Sequence, residues 1–274
     1  MVPSVLLSGL LSVIVVMSAC QQPVAPTTSV TPPTASAPPI ASGPKWPNEP
    51  SGMRVVSDWG LDETPPATTG DVPIAGSPGW KVSAGAELNS PRGWLQRVQD
   101  PTAPISAPNV YDFVYPQGMV EGNAPATVYF GGLRTRAIYA AFWWKTSVPF
   151  DRGPSGNKIA FMFNGNGQLF MTLLTDGRLH VLPEYPGDFK WRDPLPNVAA
   201  VALGEWHLIE WYANLSDGTV KWWLDGVLNG SHRDLFNQSD FDEFQFSPTW
   251  GGNTGNRKRQ TDHYWFDHVH LSVQ

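Results

Sequence analysis

Two adjoining stretches decide the fold: Gly204-Glu205-Trp206-His207-Leu208-Ile209-Glu210-Trp211-Tyr212-Ala213-Asn214 and, just beyond them, Asp217-Gly218-Thr219-Val220-Lys221-Trp222-Trp223-Leu224-Asp225-Gly226. Each is a short run of aromatic and β-branched residues, and Asp217-Gly218 lies between the runs. Such a pair reads as an antiparallel hairpin, because aspartate and glycine accept the positive φ of a tight turn at little cost. Successive side chains of a strand point to opposite faces, so Trp206, Leu208, Glu210, Tyr212 and Asn214 share one side and His207, Ile209, Trp211 and Ala213 the other. Both sides are bulky, as in a strand central to a sandwich.

Outward from this hairpin the signature recurs at Arg54–Trp59, Thr127–Phe130, Ala137–Ser147, Lys158–Phe163, Gln168–Leu174, Arg178–Leu182, Phe241–Ser247 and His263–Val273. Turn dipeptides stand at Asn166-Gly167, Asp176-Gly177, Asp225-Gly226 and Asn229-Gly230. No segment keeps a helical period beyond about two turns. The 13 Trp, 26 Gly and 27 Pro supply core and turns, without the Ala/Glu/Lys/Leu richness of a helical bundle. The expected fold is an all-β antiparallel β-sandwich over residues 51–274, wrapped by long loops at 60–125, where Pro and Gly dominate. A net charge of −6 excludes nucleic acid as a partner by global charge, since phosphates call for a positive surface. A single cysteine excludes a disulfide framework.

The uncharged run Val5–Met17 would rise about 20 Å as a helix, short of the roughly 30 Å of a hydrocarbon core, and reads as a signal-peptide core. Met17-Ser18-Ala19-Cys20 resembles the lipobox of bacterial lipoproteins. That resemblance implies removal of residues 1–19, lipidation of Cys20 and a place in the bacterial cell envelope, with the membrane engaged through the lipid anchor only. An ordinary secreted protein with a spare thiol is the other reading. Residues 20–50 carry the cysteine and then nine prolines with only Lys45 and Glu49 charged, the composition of an extended, solvated tether.

The hairpin resembles the central hairpin of concanavalin A-like jelly rolls, in which a G-x-W-H strand ending on Glu is followed by D-G, a Trp-bearing strand and a second D-G. The C-terminal Phe246-Ser247-Pro248-Thr249-Trp250-Gly251-Gly252 and Tyr264-Trp265-Phe266-Asp267-His268-Val269-His270-Leu271-Ser272 resemble the close of the alginate and glucuronan lyases built on that jelly roll. Asn157-Lys158-Ile159-Ala160-Phe161 sits where those lyases carry a lysine-bearing strand. The resemblance spans residues 137–273. It implies a groove for a polysaccharide, an anionic one in the lyases.

The chemistry narrows further. Jelly-roll glucan hydrolases need carboxylates about 5 Å apart in an E-x-D-x-x-E strand, and the sequence holds no such pattern. β-Elimination asks for a cation on the uronate carboxylate, a base and an acid. Lys158, His180 and Tyr212 are the candidates for catalysis, and Arg178, Glu210, Gln245, Trp250 and Tyr264 for substrate contact, the last two by stacking on sugar rings. Each has a structural alternative in a solvated outer face or a satisfied core position. Residues 130–200 carry eight Lys/Arg against five Asp/Glu, a local excess that suits an anionic polymer. Arg257-Lys258-Arg259, in a Gly/Asn loop, reads as a solvated loop tip, with a grip on acidic glycan chains as the other reading. His263, His268 and His270 lack an evident third ligand, so no metal or cofactor is expected, structural calcium remaining open. The functional expectation is a monomeric, envelope-anchored protein that engages polysaccharide, with a lyase acting on uronate-containing glycans as what the resemblance implies. Non-catalytic, lectin-like binding and a structural envelope lipoprotein are the alternatives.

Overall fold

The computed structural model describes residues 45–66, 70–83, 94–236 and 239–274. Cys20, the signal segment and most of the tether lie outside them. The strands are β1 (Arg54–Trp59), β2 (Val72–Pro73), β3 (Trp80–Ser83), β4 (Leu95–Gln99), β5 (Asn109–Tyr115), β6 (Thr127–Thr135), β7 (Ala137–Thr146) and β8 (Asn157–Asn164). There follow β9 (Gly167–Leu173), β10 (Leu179–Glu184), β11 (His207–Asn214), β12 (Thr219–Leu224), β13 (Val227–His232), β14 (Phe241–Phe246) and β15 (Asp262–Val273).

They build two antiparallel sheets. The first runs β13-β12-β11-β7-β15-β5-β4, with β1 also paired to β15; the second runs β10-β9-β8-β14-β6-β3-β2. The chain switches sheet after β1, β3, β5, β6, β7, β10, β13 and β14, so neighbours in space are distant in sequence. This is the all-β jelly-roll sandwich expected, and the diagnostic hairpin is β11–β12, inside the first sheet.

Alternation places one face of every long strand against the other sheet. Ile209, Trp211 and Ala213 of β11, Phe142 of β7, Phe244 and Phe246 of β14 and Phe266 of β15 meet in one core. Phe246 lies 4.5 Å from Phe266 and 5.0 Å, edge-on, from Phe142. Fully burying each such ring stabilises by about 1.5–3 kcal/mol.

Three expectations need correction. Residues 60–125 are not merely long loops: β2 to β5 lie there, and β5 buries Tyr111, Phe113 and Tyr115. Its strand character comes from pairing with β15 rather than from local pattern. Asn229-Gly230 is not a turn but part of β13, where a Cβ at Gly230 would stand 2.1 Å from the Trp222 indole. Within Arg257–Arg259 the two arginines are exposed, as a solvated tip requires, but Lys258 is not. The Lys258 side chain is buried, with Nζ 2.6 Å from Asp262, donating to the Asp151 carbonyl at 2.7 Å, and lying over the rings of Phe150, Tyr115 and Trp250. A buried ion pair is strongly destabilised when one member is removed, since the other charge is left in low dielectric. Lys258→Ala is therefore expected to cost about 3–5 kcal/mol in urea unfolding; a loss under about 1 kcal/mol would show that water replaces the amine freely.

Candidate functional site

A sandwich has two outward faces, and here the chain closes much of one. On the first sheet, Trp46 stacks on His270 at 5.3 Å and packs with Tyr139, Ala141 and Leu208. Beneath it the Glu210 carboxyl accepts three hydrogen bonds: Asn48 N at 2.9 Å, Asn48 Nδ2 at 2.7 Å and the Tyr139 hydroxyl at 2.6 Å. Burial and the neighbouring Glu210 push the Tyr139 hydroxyl well above the ordinary phenol range. Glu49 reaches His270, and Lys45 reaches His268. Residues that composition assigns to the tether thus form a strap on β7, β11 and β15. A second loop covers the neighbouring area, with the amides of Ile105 and Ser106 donating to Asp267, whose carboxyl burial raises to about 6 against the pull of those amides.

The outward face of the second sheet is built differently. Register aligns its side chains in cross-strand rows, because directly paired residues on adjacent strands share a face. One row is Lys158, Thr172 and His180, across β8, β9 and β10. The next runs across six strands, from Lys81 through Tyr129, Gln245, Phe161 and Phe170 to Leu182. A third carries Gly131, Glu243, Phe163, Gln168 and Glu184. Polar groups therefore flank an aromatic stripe. Over its β8–β10 part the stripe is packed by Phe163 and Trp191, so that end is filled with apolar side chains rather than open.

Electrostatics mark the remainder. Lys158 is largely desolvated, which lowers its pKa; its Nζ donates to the Gly251 carbonyl at 3.4 Å and lies 5.2 Å from the Phe170 ring centre. Among the described residues no carboxylate forms an ion pair with it. Burial, reinforced by Asp71, pushes the Tyr129 hydroxyl up to about 12. Burial also raises Glu243, against the amide of Gln245 that donates to it.

The structure brings together Lys158, His180 and Gln245 on this face, with Arg178 just before β10. His180 is buried, its Nδ1 3.1 Å from Asp193 and its Nε2 3.0 Å from Asp176, which Arg178 also binds. Other assignments are corrected. Tyr212 is on the first sheet, in the Asn214 hydrogen bond at 3.1 Å, and does not join Lys158. Glu210 is sealed beneath the strap. Tyr264 is wholly buried between the sheets, stacked on Phe150 at 4.7 Å, and Trp250 is buried with its indole donating to the Asp151 carbonyl, so neither ring offers a face to a ligand. Tyr129 and Lys81 escape sequence reading: the only hint was the strand signal at Thr127–Phe130, and nothing local says that β6 adjoins β14.

Fold and face together define a jelly-roll β-sandwich with a polar and aromatic outer platform on one sheet. No protein-family model matches the sequence, and no curated protein does. Among solved structures, the chain is similar to the cellulose-induced protein Cip1, with 17% identity and a TM-score of 0.52 over 71% of this chain and 91% of that one. It is also similar to alginate lyase Aly36B, at 13% identity and TM-score 0.46 over 60% and 82% of the two chains. A third is the binding domain of botulinum neurotoxin serotype C1, at 12% and 0.42 over 64% and 47%. The likeness to Cip1 supports the sandwich itself.

The strap generates a prediction. Trp46→Ala is expected to cost about 3 kcal/mol in stability, the order of a buried aromatic truncation. Burial lowers the pKa of His268 despite its 2.7 Å contact with Asp58, so the folded state prefers the neutral ring. Its contribution is complete above the ordinary value of 6.5 and shrinks as the pH drops below it. Unfolding wild type and His268→Gln across acid pH should show the wild type losing stability faster; parallel curves would refute the assignment.

Proposed function

We propose that the outward face of the second sheet engages a polysaccharide bearing acidic groups. The observation that carries this reading is Lys158: a desolvated ammonium with one long carbonyl contact and no ion pair among the described residues, set beside hydrogen-bonding Thr172 and Gln245. A desolvated cation is stabilised by an oxyanion, and amide, hydroxyl and aromatic groups in a plane match the edges and the C–H face of a pyranose. The jelly-roll resemblance of residues 137–273 points the same way.

The finer reading is a lyase. Lys158 and Gln245 hold the uronate carboxylate; His180, oriented by Asp176, takes the proton from C5. The departing O4 takes its proton from water, because Tyr129 on β6 stands four strands, roughly 19 Å, from His180 on β10. The C4–O bond breaks as the C4–C5 double bond forms, so protons and electrons balance without a cofactor. A second reading, non-catalytic binding by the same face, is favoured by the engagement of both His180 ring nitrogens with aspartates. On either reading the chain is a monomer held at the bacterial envelope through lipidated Cys20.

Ultraviolet absorbance during incubation with alginate or glucuronan separates the two. Lyase action gives a rise from the new double bond, cut by about two orders of magnitude or more in Lys158→Ala or His180→Ala. A flat trace with polymer-retarded migration in affinity gels supports the binding version. A protein that neither cleaves nor binds any acidic polymer ends the proposal.

A further inference from the structure

Next to Lys158 lies a second constellation, not part of the sheet face. The segment following β7 and the loop preceding β15 enclose an open cleft of about 560 Å³, lined by Asp151, Arg152, Thr175, Trp250, Arg257 and Arg259 among others. Arg259 grips Asp151 through Nη2 at 2.7 Å and Nε at 3.3 Å, and its backbone amide adds a third bond at 3.0 Å. Burial opposes the charge of Asp151, yet these bonds hold its pKa at about 2. The Asp151 carboxylate is thus spent inside the wall, and its side chain is only 4% exposed while that of Arg259 is 83% exposed. Arg257 is exposed, with one guanidinium nitrogen donating to the Gly118 carbonyl at 3.0 Å. The neighbouring amine of Lys258 is already matched by Asp262. Three arginines against one carboxylate leave the cleft two positive charges in excess.

Its position gives that charge a direction. The buried Trp250 backs the cleft without presenting its ring to it, and the adjoining Gly251 carbonyl is the group that holds the Lys158 ammonium. Gly251 is tied by its amide to Gly156, one residue before β8. Thr175 lies just past the end of β9, three residues from Thr172 in the Lys158 row. The cleft therefore opens at the end of the second sheet where that row stands.

We infer that this arginine cleft is a subsite for a carboxylate or sulfate group on a sugar neighbouring the one held at Lys158. The inference rests on the polysaccharide reading and adds that recognition extends over successive acidic units. Guanidinium groups suit it because their planar N–H forks match two oxygens of an oxyanion, which a lone ammonium does not. Both acid chemistries offer the same oxygen pair, so the experiment must separate them.

The test uses the whole protein with Arg152→Ala/Arg257→Ala, which leaves the Arg259–Asp151 bonds intact, in affinity electrophoresis against polygalacturonate, carrageenan and dextran. Thermal melting of the variant reports that it is folded. Loss of one or two charge-assisted contacts should weaken binding to an acidic polymer by about tenfold or more. It should also flatten the salt dependence, while leaving any dextran binding unchanged. Selective weakening for polygalacturonate assigns a carboxylate, and for carrageenan a sulfate. Should the folded double variant bind both acidic polymers as tightly as wild type, the subsite is wrong and the polysaccharide reading stands. Should wild type bind no acidic polymer, alginate and glucuronan included, both fall together.

Discussion

Interdigitation of aromatic rings between two sheets is the constraint from which the remainder follows. Phe142 and Phe266 of the first sheet meet Phe246 of the second within 4.5 to 5.9 Å of one another, and Trp80 lies parallel to Phe246 at 6.2 Å. Rings packed at that density fix which side of each strand is inward. Because the side-chain period is two, a slip of one residue in β14 would exchange Phe244 and Phe246 for Glu243 and Gln245. The platform on the second sheet is thus the reverse side of the core.

Several buried charged and titratable groups have dedicated partners. Glu210 is enclosed with Asn48 and Tyr139 as donors, Asp267 with two loop amides, and Lys258 with Asp262 under an aromatic roof. His207, part of the diagnostic hairpin, is buried between Asp225 at 2.7 Å and the Ala202 carbonyl at 2.8 Å. Burial alone would discourage its protonation, but the Asp225 contact dominates and raises its pKa. Each arrangement ties a loop or the strap to a strand, as expected where the alternative is an unsatisfied group in low dielectric. Lys158, by comparison, has a single 3.4 Å bond to the Gly251 carbonyl and no carboxylate in ion-pair range among the described residues.

How much was legible varies by residue. The β11–β12 hairpin, the alternation of β14 and the strand at Lys158 could be read because they are local: Asp-Gly turns and period-two patterning lie within a few residues. β5 was obscured by its surroundings of Pro and Gly. Gly230 resembles a turn residue in sequence and serves instead as space for Trp222. Trp250 and Tyr264 look like sugar platforms on composition, yet a large aromatic ring is as suited to a core as to a binding face.

By itself the sequence determined the all-β class, the diagnostic hairpin and the polar-against-apolar faces of single strands, since these depend on torsional preference and on side-chain alternation. Only the tertiary structure decided that Tyr129 and Lys81 line up with Gln245, that Tyr212 stands on the other sheet, and that Glu210 is closed off by the strap. Those outcomes depend on which strands pair across the jelly roll and on which outward face the chain folds back to cover. Both are long-range events, and the periodicity of an isolated strand carries no record of its neighbour.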